Sequence, residues 1–371
     1  MSIKVWDYLD EYAVEKTEIL AAVDRVFSSG TLILGNSVKG FETDFAAYCG
    51  TRFGVGVDNA TNGIFLALKA LGIGAGDEVI TVSNTAVPTV SAIVQAGAVP
   101  CFVDVCVDSG LMDVTKVEAV ISERSRCIIP VHLFGQCVDM NALVGIAKRH
   151  NLRIIEDCSQ SHGAIHKGNK AGSMGDMGIF SFYPTKPLGG FGDGGFITTH
   201  SAELNEKLRS LRFYGMKGIY YAEELGYNSR LDEVHAEILR YKLSKLDGYI
   251  DRRQKLAARY RAILAGTSLE LPIVKEGNSH VYYLYVVRHP RRDELIAELK
   301  KKDILLNISY PWPIHLMNGY SYLGGKEGDL PITEAIAKNI FSLPMYPSLT
   351  EEMQNLTCLA LGELLGEKVC L

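Results

Sequence analysis

Residues 180–195 read FSFYPTKPLGGFGDGG, and the fold is decided by what this stretch does. Phe180, Ser181 and Phe182 alternate as strand residues do, and Pro184 prevents the strand from simply running on. Five glycines follow, at 189, 190, 192, 194 and 195, and one lysine, Lys186, stands before them. Most lysines are solvated and carry no chemistry. Here the glycines let the backbone approach a bound molecule closely and permit positive φ. A lysine amine at such a turn is partly desolvated and suited to attack an aldehyde.

Outward from this stretch, residues 50–200 alternate in texture. Short β-rich runs (FGVGV, EVITV, VPCFVDV, CIIPVHLF and LRIIED) are separated by amphipathic stretches of helical length (NGIFLALKALGI, VPTVSAIVQAG, DVTKVEAVISE and DMNALVGIAKRH). Continuous apolar strands between helices predict an α/β fold whose parallel sheet is covered on both faces. Such sheets hold ligands at the carboxyl ends of their strands. Beyond residue 230 the pattern changes. LDEVHAEILRYKLSKLDGYIDRRQKLAARYRAILAG reads as two long helices meeting near Gly248. A strand (HVYYLYVV), a helix (RRDELIAELKKKD), a strand (ILLNISY) and a last helix (TEEMQNLTCLALGELLG) follow. We place a division near residue 245, between a large domain, 1–245, with an N-terminal helix, and a smaller α+β domain, 246–371.

The 371 residues are 47% hydrophobic and 22% charged, which suits an ordinary globular chain of about two domains. No run approaches the roughly 20 apolar residues needed to span a bilayer. MSIKVWDYLDEYAVEK has no apolar signal core, so a cytoplasmic protein without membrane contact is expected. A net charge of −5 argues against broad nucleic-acid binding. The eight cysteines form no C-x-x-C pair, so reduced core thiols are expected, with no disulfide frame and no metal site.

Four further features surround Lys186. Asp157 ends the apolar strand LRIIED, where a half-buried carboxylate needs a partner and a cationic ligand nitrogen would serve. Gln160 and His162 follow on the same loop. Ser181 precedes the lysine. VDNATNGIFLAL joins a strand to a helix, and the N–H groups of Ala60 and Thr61 at that helix start suit a phosphate. An amine for an aldehyde, a carboxylate for a pyridinium nitrogen and a helix start for a phosphate together specify pyridoxal 5'-phosphate.

The stretches IIEDCSQSHGA, GIFSFYPTKPLGGFGDGGFITT, LGYNSRLDEVHAEIL and YPWPIH resemble the nucleotide-sugar aminotransferases of the DegT/DnrJ/EryC1/StrS family. The resemblance runs from LILGNSVKGFE to SLPMYPSLT, nearly the whole chain. It implies the type I fold of pyridoxal-phosphate enzymes: a large domain with a mostly parallel seven-stranded sheet, a small α+β domain, and a homodimer with shared active sites. By the same resemblance, Lys186 condenses with the cofactor and moves the proton, Asp157 pairs with the ring nitrogen, and Gln160 meets the ring hydroxyl. Ser181, Ala60 and Thr61 take the phosphate, and Asn228 reaches it from the partner subunit. His162, Tyr183, Tyr310 and His315 become sugar-side candidates, His162 with a catalytic role. Arg212, Lys217 and Arg230 become diphosphate candidates. Two positions depart from the family pattern. Ala60 replaces a glycine of the phosphate loop, which spares a backbone contact. Ala86 stands where many relatives place an aromatic over the cofactor ring.

The presence of Lys186, where the family's dehydratases carry histidine, favours transamination. L-Glutamate is the amino donor the family implies. KVWDYLDEY, LILGNS and NISYPWPIH look most like the branch acting at C-3 of a dTDP-linked 3-keto-6-deoxyhexose. The expected product is a 3-amino-3,6-dideoxyhexose for surface-glycan biosynthesis, such as O-antigen. A C-4 aminotransferase and a dehydratase remain alternatives on the same fold, and a non-catalytic cofactor-binding regulator remains one of another class.

Overall fold

A computed structural model of the chain describes residues 2–218 and 220–371. Seven strands form the central sheet. In spatial order they are Phe53–Val57, Gly195–Thr199, Met177–Ser181, Arg153–Asp157, Ser125–Ile128, Glu78–Val82 and Val99–Val103. Gly195–Thr199 runs antiparallel to both neighbours, and every other pairing is parallel. The carboxyl ends of six strands and the start of Gly195–Thr199 therefore lie along one edge. Residues 182–194 form the turn between the two strands at that edge, which is how Lys186 comes to the carboxyl end of the sheet.

Local sequence sets the element after each strand. Past Val57 the side chain of Asn59 accepts the Asn62 N–H at 2.8 Å and starts the helix Ala60–Ala70. After Val82, Pro88 sits in the first turn of the helix Val87–Gln95. Asp139 caps Met140–His150 in the same way as Asn59. DVTKVEAVISE forms only two short 3-10 turns, Val114–Lys116 and Glu118–Val120, and not the helix its period suggested. Val114, Thr115, Val117, Val120 and Ile121 are all β-branched and lose rotamer freedom in a helix. Both sheet faces are packed, and every residue of Glu78–Val82 and Gly195–Thr199 is buried.

The helices Glu233–Leu243 and Leu246–Leu264 meet at Ser244 and Lys245, so Gly248 lies inside the second and not at the junction. Past them, Tyr285–Arg288 pairs antiparallel with Ile340–Leu343 beside the helices Arg292–Lys301 and Glu351–Leu365. Tyr260, Tyr285 and Phe341 fill this second core. The strand Ile3–Lys4 pairs in parallel with Ile304–Leu305, so the first residues cross the division we place at 245. Among the described residues no helix is long and apolar enough to cross a membrane, and all eight cysteines are free thiols.

Candidate active site

The glycines of residues 189–195 serve close approach, not positive φ: none of them adopts the left-handed conformation. A Cβ at Gly195 would lie 2.7 Å from the Ala60 nitrogen, and one at Gly190 would overlap His235 Nε2. The missing side chains thus let the lysine-bearing turn settle against both the helix start and the helix Glu233–Leu243. The result is a cleft of about 290 Å³ at the sheet edge, lined by Ala60, Thr61, Asp157, Gln160, Ser181, Tyr183 and Lys186 among others.

Each group is held by the fold. Asp157 is buried, its Oδ2 accepting the Thr89 hydroxyl at 2.7 Å and its Oδ1 the Ser159 N–H at 3.1 Å. Thr89 Oγ1 lies 3.1 Å from Thr85 Oγ1, which extends the network. Gln160 Oε1 accepts the Phe134 N–H at 2.8 Å, and Nε2 donates to the Tyr310 hydroxyl at 2.6 Å. Phe134 and Tyr310 both sit at left-handed φ, 60° and 63°, so two strained residues converge on one glutamine. Burial pushes the Tyr310 hydroxyl up, which keeps it a neutral hydrogen-bonding partner. Lys186 Nζ lies 4.4 Å from the ring centroid of Tyr283, within cation–π range. The Tyr283 hydroxyl is 2.9 Å from Thr185 Oγ1. At the helix start, the first-turn N–H groups of Ala60 and Thr61 have no earlier carbonyl within the helix to bond.

Other expected residues lie elsewhere. His162 does not line the cleft. Ser181 faces the cleft while Phe180 and Phe182 face away, and the His162 ring packs on their side, 5.3 and 5.9 Å from those rings. Burial, with the Lys186 charge next, lowers its pKa to about 3. His315 is also buried, its Nδ1 2.8 Å from Ser83 Oγ and its Nε2 3.2 Å from Glu334, so it docks its loop onto the sheet. Arg212 is a core residue, ion-paired with Glu42 and donating to the Gly56 carbonyl at 2.7 Å, and it cannot also hold a diphosphate. Lys217 is exposed on the hairpin of Met216–Gly218 and Tyr221–Ala222, paired with Glu223 at 2.8 Å. Arg230 lies over Phe213 and Tyr214, at 5.2 and 5.5 Å. Asn228 is exposed and bridges Phe213, outside this chain's cleft.

Sequence reasoning missed Thr89, Tyr283 and Asp193, which also line the cleft. They come from a helix, the segment just before the strand Tyr285–Arg288 and the glycine loop, and only the fold unites them. It also missed a buried group, His132, Glu156 and Cys158, whose ligand atoms lie within 4.8 Å of one another. Its capacity is committed: Glu156 accepts N–H groups from Gly172, Met174 and Gly175 and pairs with His132, whose Nδ1 accepts the Val138 N–H.

The donor set of the cleft fits pyridoxal 5'-phosphate. A primary amine, a carboxylate with fixed orientation, and a helix start next to the Ser181 hydroxyl face one space of small-molecule size. Aromatic Tyr183 and Tyr283 line it, and Ala86 lines it with a methyl group only. The sequence profile described as the DegT/DnrJ/EryC1/StrS aminotransferase family matches residues 13–361. A Micromonospora megalomicea protein named dTDP-3-amino-3,4,6-trideoxy-alpha-D-glucose transaminase is 54% identical, over 98% of this chain and 99% of its own. The crystal structure of S. venezuelae DesV superposes with a TM-score of 0.96 at 41% identity, over 98% of both chains. That of NtdA from Bacillus subtilis, with the cofactor PMP bound, gives 0.89 at 29%, over 95% of this chain and 82% of its own.

Proposed function

The chain belongs to the DegT/DnrJ/EryC1/StrS aminotransferase family, and on that basis we propose that it is a pyridoxal-phosphate-dependent transaminase acting at C-3 of a dTDP-linked 3-keto-6-deoxyhexose. One observation carries the chemistry: Lys186, Asp157 and the helix start at Ala60 and Thr61 line a single cleft. The 54%-identical relative, named for a dTDP-3-amino-sugar, supports the substrate.

The cofactor, when bound, would supply an aldehyde for the amino-acid donor, then an amine for the keto sugar, and an electron-withdrawing ring for both. Lys186 Nζ would carry a proton between the substrate carbon and the cofactor within each half-reaction, serving as base and then as acid. Asp157 holds the ring nitrogen protonated, and the Thr89 hydroxyl and Ser159 N–H fix the direction of its oxygens. The Ser181 hydroxyl and the N–H groups of Ala60 and Thr61 bind phosphate oxygens at the positive end of an 11-residue helix. Gln160, held between Phe134 and Tyr310, offers its remaining amide N–H to the ring hydroxyl.

Apart from Lys186, no lysine or arginine lines the cleft among the described residues. A phosphate and a sugar-linked diphosphate need more positive charge than that. This favours a homodimer in which exposed Asn228 and Lys217 serve the other subunit's cleft, with L-glutamate as donor.

The visible absorption spectrum of the purified protein, before and after L-glutamate, tests the reading. A visible band giving way to a near-ultraviolet one is expected. No band after reconstitution with pyridoxal phosphate would overturn it. Transamination of dTDP-linked 3-keto and 4-keto sugars, with NMR of the products, decides between C-3 and C-4.

A further inference from the structure

The buried pair His132 and Glu156 is one residue away from the cleft on both of its segments, since Val131 and Asp157 line it. Glu156 Oε1 accepts the Met174 and Gly175 N–H groups at 2.7 Å each. Its Oε2 accepts the Gly172 N–H at 3.0 Å and His132 Nε2 at 2.9 Å. A buried carboxylate with four donors is fixed in place, and so is the imidazole bonded to it. The Val138 N–H, 3.2 Å from His132 Nδ1, can only donate. Nδ1 is therefore the acceptor, and Nε2 carries the hydrogen that Glu156 receives.

The imidazole spans a strained turn. Phe134 and Gly135 have φ of 60° and 112°, and a phenylalanine in that region persists only where its surroundings over-determine it. His132 holds the turn at three points. Its backbone N–H donates to the Asp157 carbonyl at 3.0 Å, Nε2 meets Glu156, and Nδ1 takes the Val138 N–H beyond the turn. The Val281 N–H adds a fourth hold, on the Gly135 carbonyl at 2.9 Å. Through the Phe134 N–H the turn reaches a residue of the cleft: that N–H lies 2.8 Å from Gln160 Oε1 and decides which way the amide faces. With Oε1 so held, Nε2 donates to Tyr310 and keeps one N–H for a ligand.

We propose that His132 is a positioning residue of the active site. By bonding Glu156 and Val138 at once it fixes the turn of residues 133–137, and through the Phe134 N–H it sets the Gln160 amide against the cofactor's ring hydroxyl. It acts through Gln160 and touches neither cofactor nor substrate. This inference rests on the pyridoxal-phosphate reading above.

Fluorescence titration of the cofactor-free protein with pyridoxal phosphate, and with its analogue lacking the ring hydroxyl, tests it. The ratio of the two dissociation constants isolates the hydroxyl contact, whereas a merely structural loss weakens both ligands alike. The wild type is expected to prefer pyridoxal phosphate, and Gln160→Ala should reduce that preference by about tenfold. His132→Phe resembles the ring without its nitrogens and should reduce it by about 2- to 10-fold, the worth of one neutral hydrogen bond. Added to Gln160→Ala, it should reduce the preference no further. Circular dichroism checks folding. If His132→Phe does not fold, two milder variants carry the test. His132→Asn keeps a carbonyl for the Val138 N–H and His132→Gln keeps an amide for Glu156, and each should lower the preference. A preference unchanged in every folded His132 variant, or lowered equally with and without Gln160, overturns the positioning role. A wild type without preference, or Gln160→Ala that keeps it, overturns it too. Failure of pyridoxal phosphate to bind the wild type overturns the cofactor reading itself.

Discussion

Asp157→Asn separates the fold from the chemistry. The carboxylate takes the Thr89 hydroxyl at 2.7 Å and the Ser159 N–H at 3.1 Å, and Thr89 in turn lies 3.1 Å from Thr85 Oγ1. An amide of the same shape keeps every group satisfied. Its oxygen retains the Ser159 N–H, its NH₂ donates to Thr89, and Thr89 turns its own proton to Thr85. The cost to the fold is the difference between a charge-assisted and a neutral hydrogen bond, about 1 kcal/mol. In a chain of this size that lowers Tm by about 2 °C. The reaction should suffer far more, because the amide cannot hold the ring nitrogen protonated. Removing one preorganised electrostatic group costs about 10²–10³ in kcat. Single-turnover spectra with L-glutamate and thermal unfolding by circular dichroism, on one preparation, read both quantities. A variant that melts near the wild type and keeps more than about a tenth of its rate, well outside that range, would refute the role given to Asp157.

Three other perturbations probe the surroundings. Gly190→Ala should destabilise by about 1–3 kcal/mol, because its Cβ meets His235 Nε2, which already accepts the Phe191 N–H at 3.2 Å. Combined with His235→Ala it should cost less than the sum in urea denaturation; strict additivity would show that the loop does not rest on that ring. Burial holds His162 at about 3, against about 6.5 in the unfolded chain, so unfolding takes up a proton between these values and stability falls as pH drops from 6.5 toward 3. His162→Phe should flatten that fall, leaving the share of His280, also lowered by burial to about 3, and an unchanged pH profile would contradict a buried neutral imidazole. Asn228→Ala should weaken cofactor affinity by roughly tenfold, the loss of one hydrogen bond to a charged group, and an unchanged affinity by fluorescence titration would remove it from the phosphate site.

What was legible came from local chemistry. The strand-ending Asp157, the Pro184 turn before Lys186 and the helix start after Val57 are each written within a few residues, and parallel strands bring their carboxyl ends to one edge. Where a side chain faces was less legible. His162 stands two residues past Gln160, yet it enters the Phe180 and Phe182 face of the sheet. The alternation Phe180, Ser181, Phe182 held the signal for that face but not for what would pack there. Arg212 looks like any cation on a helix end, and only its meeting with Glu42, 170 residues away, makes it a core residue. The loop glycines were expected for positive φ and for close approach to a bound molecule; none takes positive φ, and the close approach is to His235 and Asn59, both far along the chain.

The charge balance of the cleft joins these points. Two carboxylates, Asp157 and Asp193, and one amine line it. The helix start contributes the equivalent of about half a positive charge. A phosphate dianion is not balanced by that set, and a diphosphate still less so. The two arginines expected at the diphosphate do not repair the deficit, since Arg212 is spent on Glu42 and Arg230 stacks on Phe213 and Tyr214. Lys217, a cation, and Asn228, a neutral hydrogen-bond donor, remain; both are exposed, and neither lines this chain's cleft. Ser181 and the helix start serve the cofactor's phosphate within one chain, but the cleft carries too little positive charge for a diphosphate as well, and that deficit is the chemical argument for the proposed homodimer.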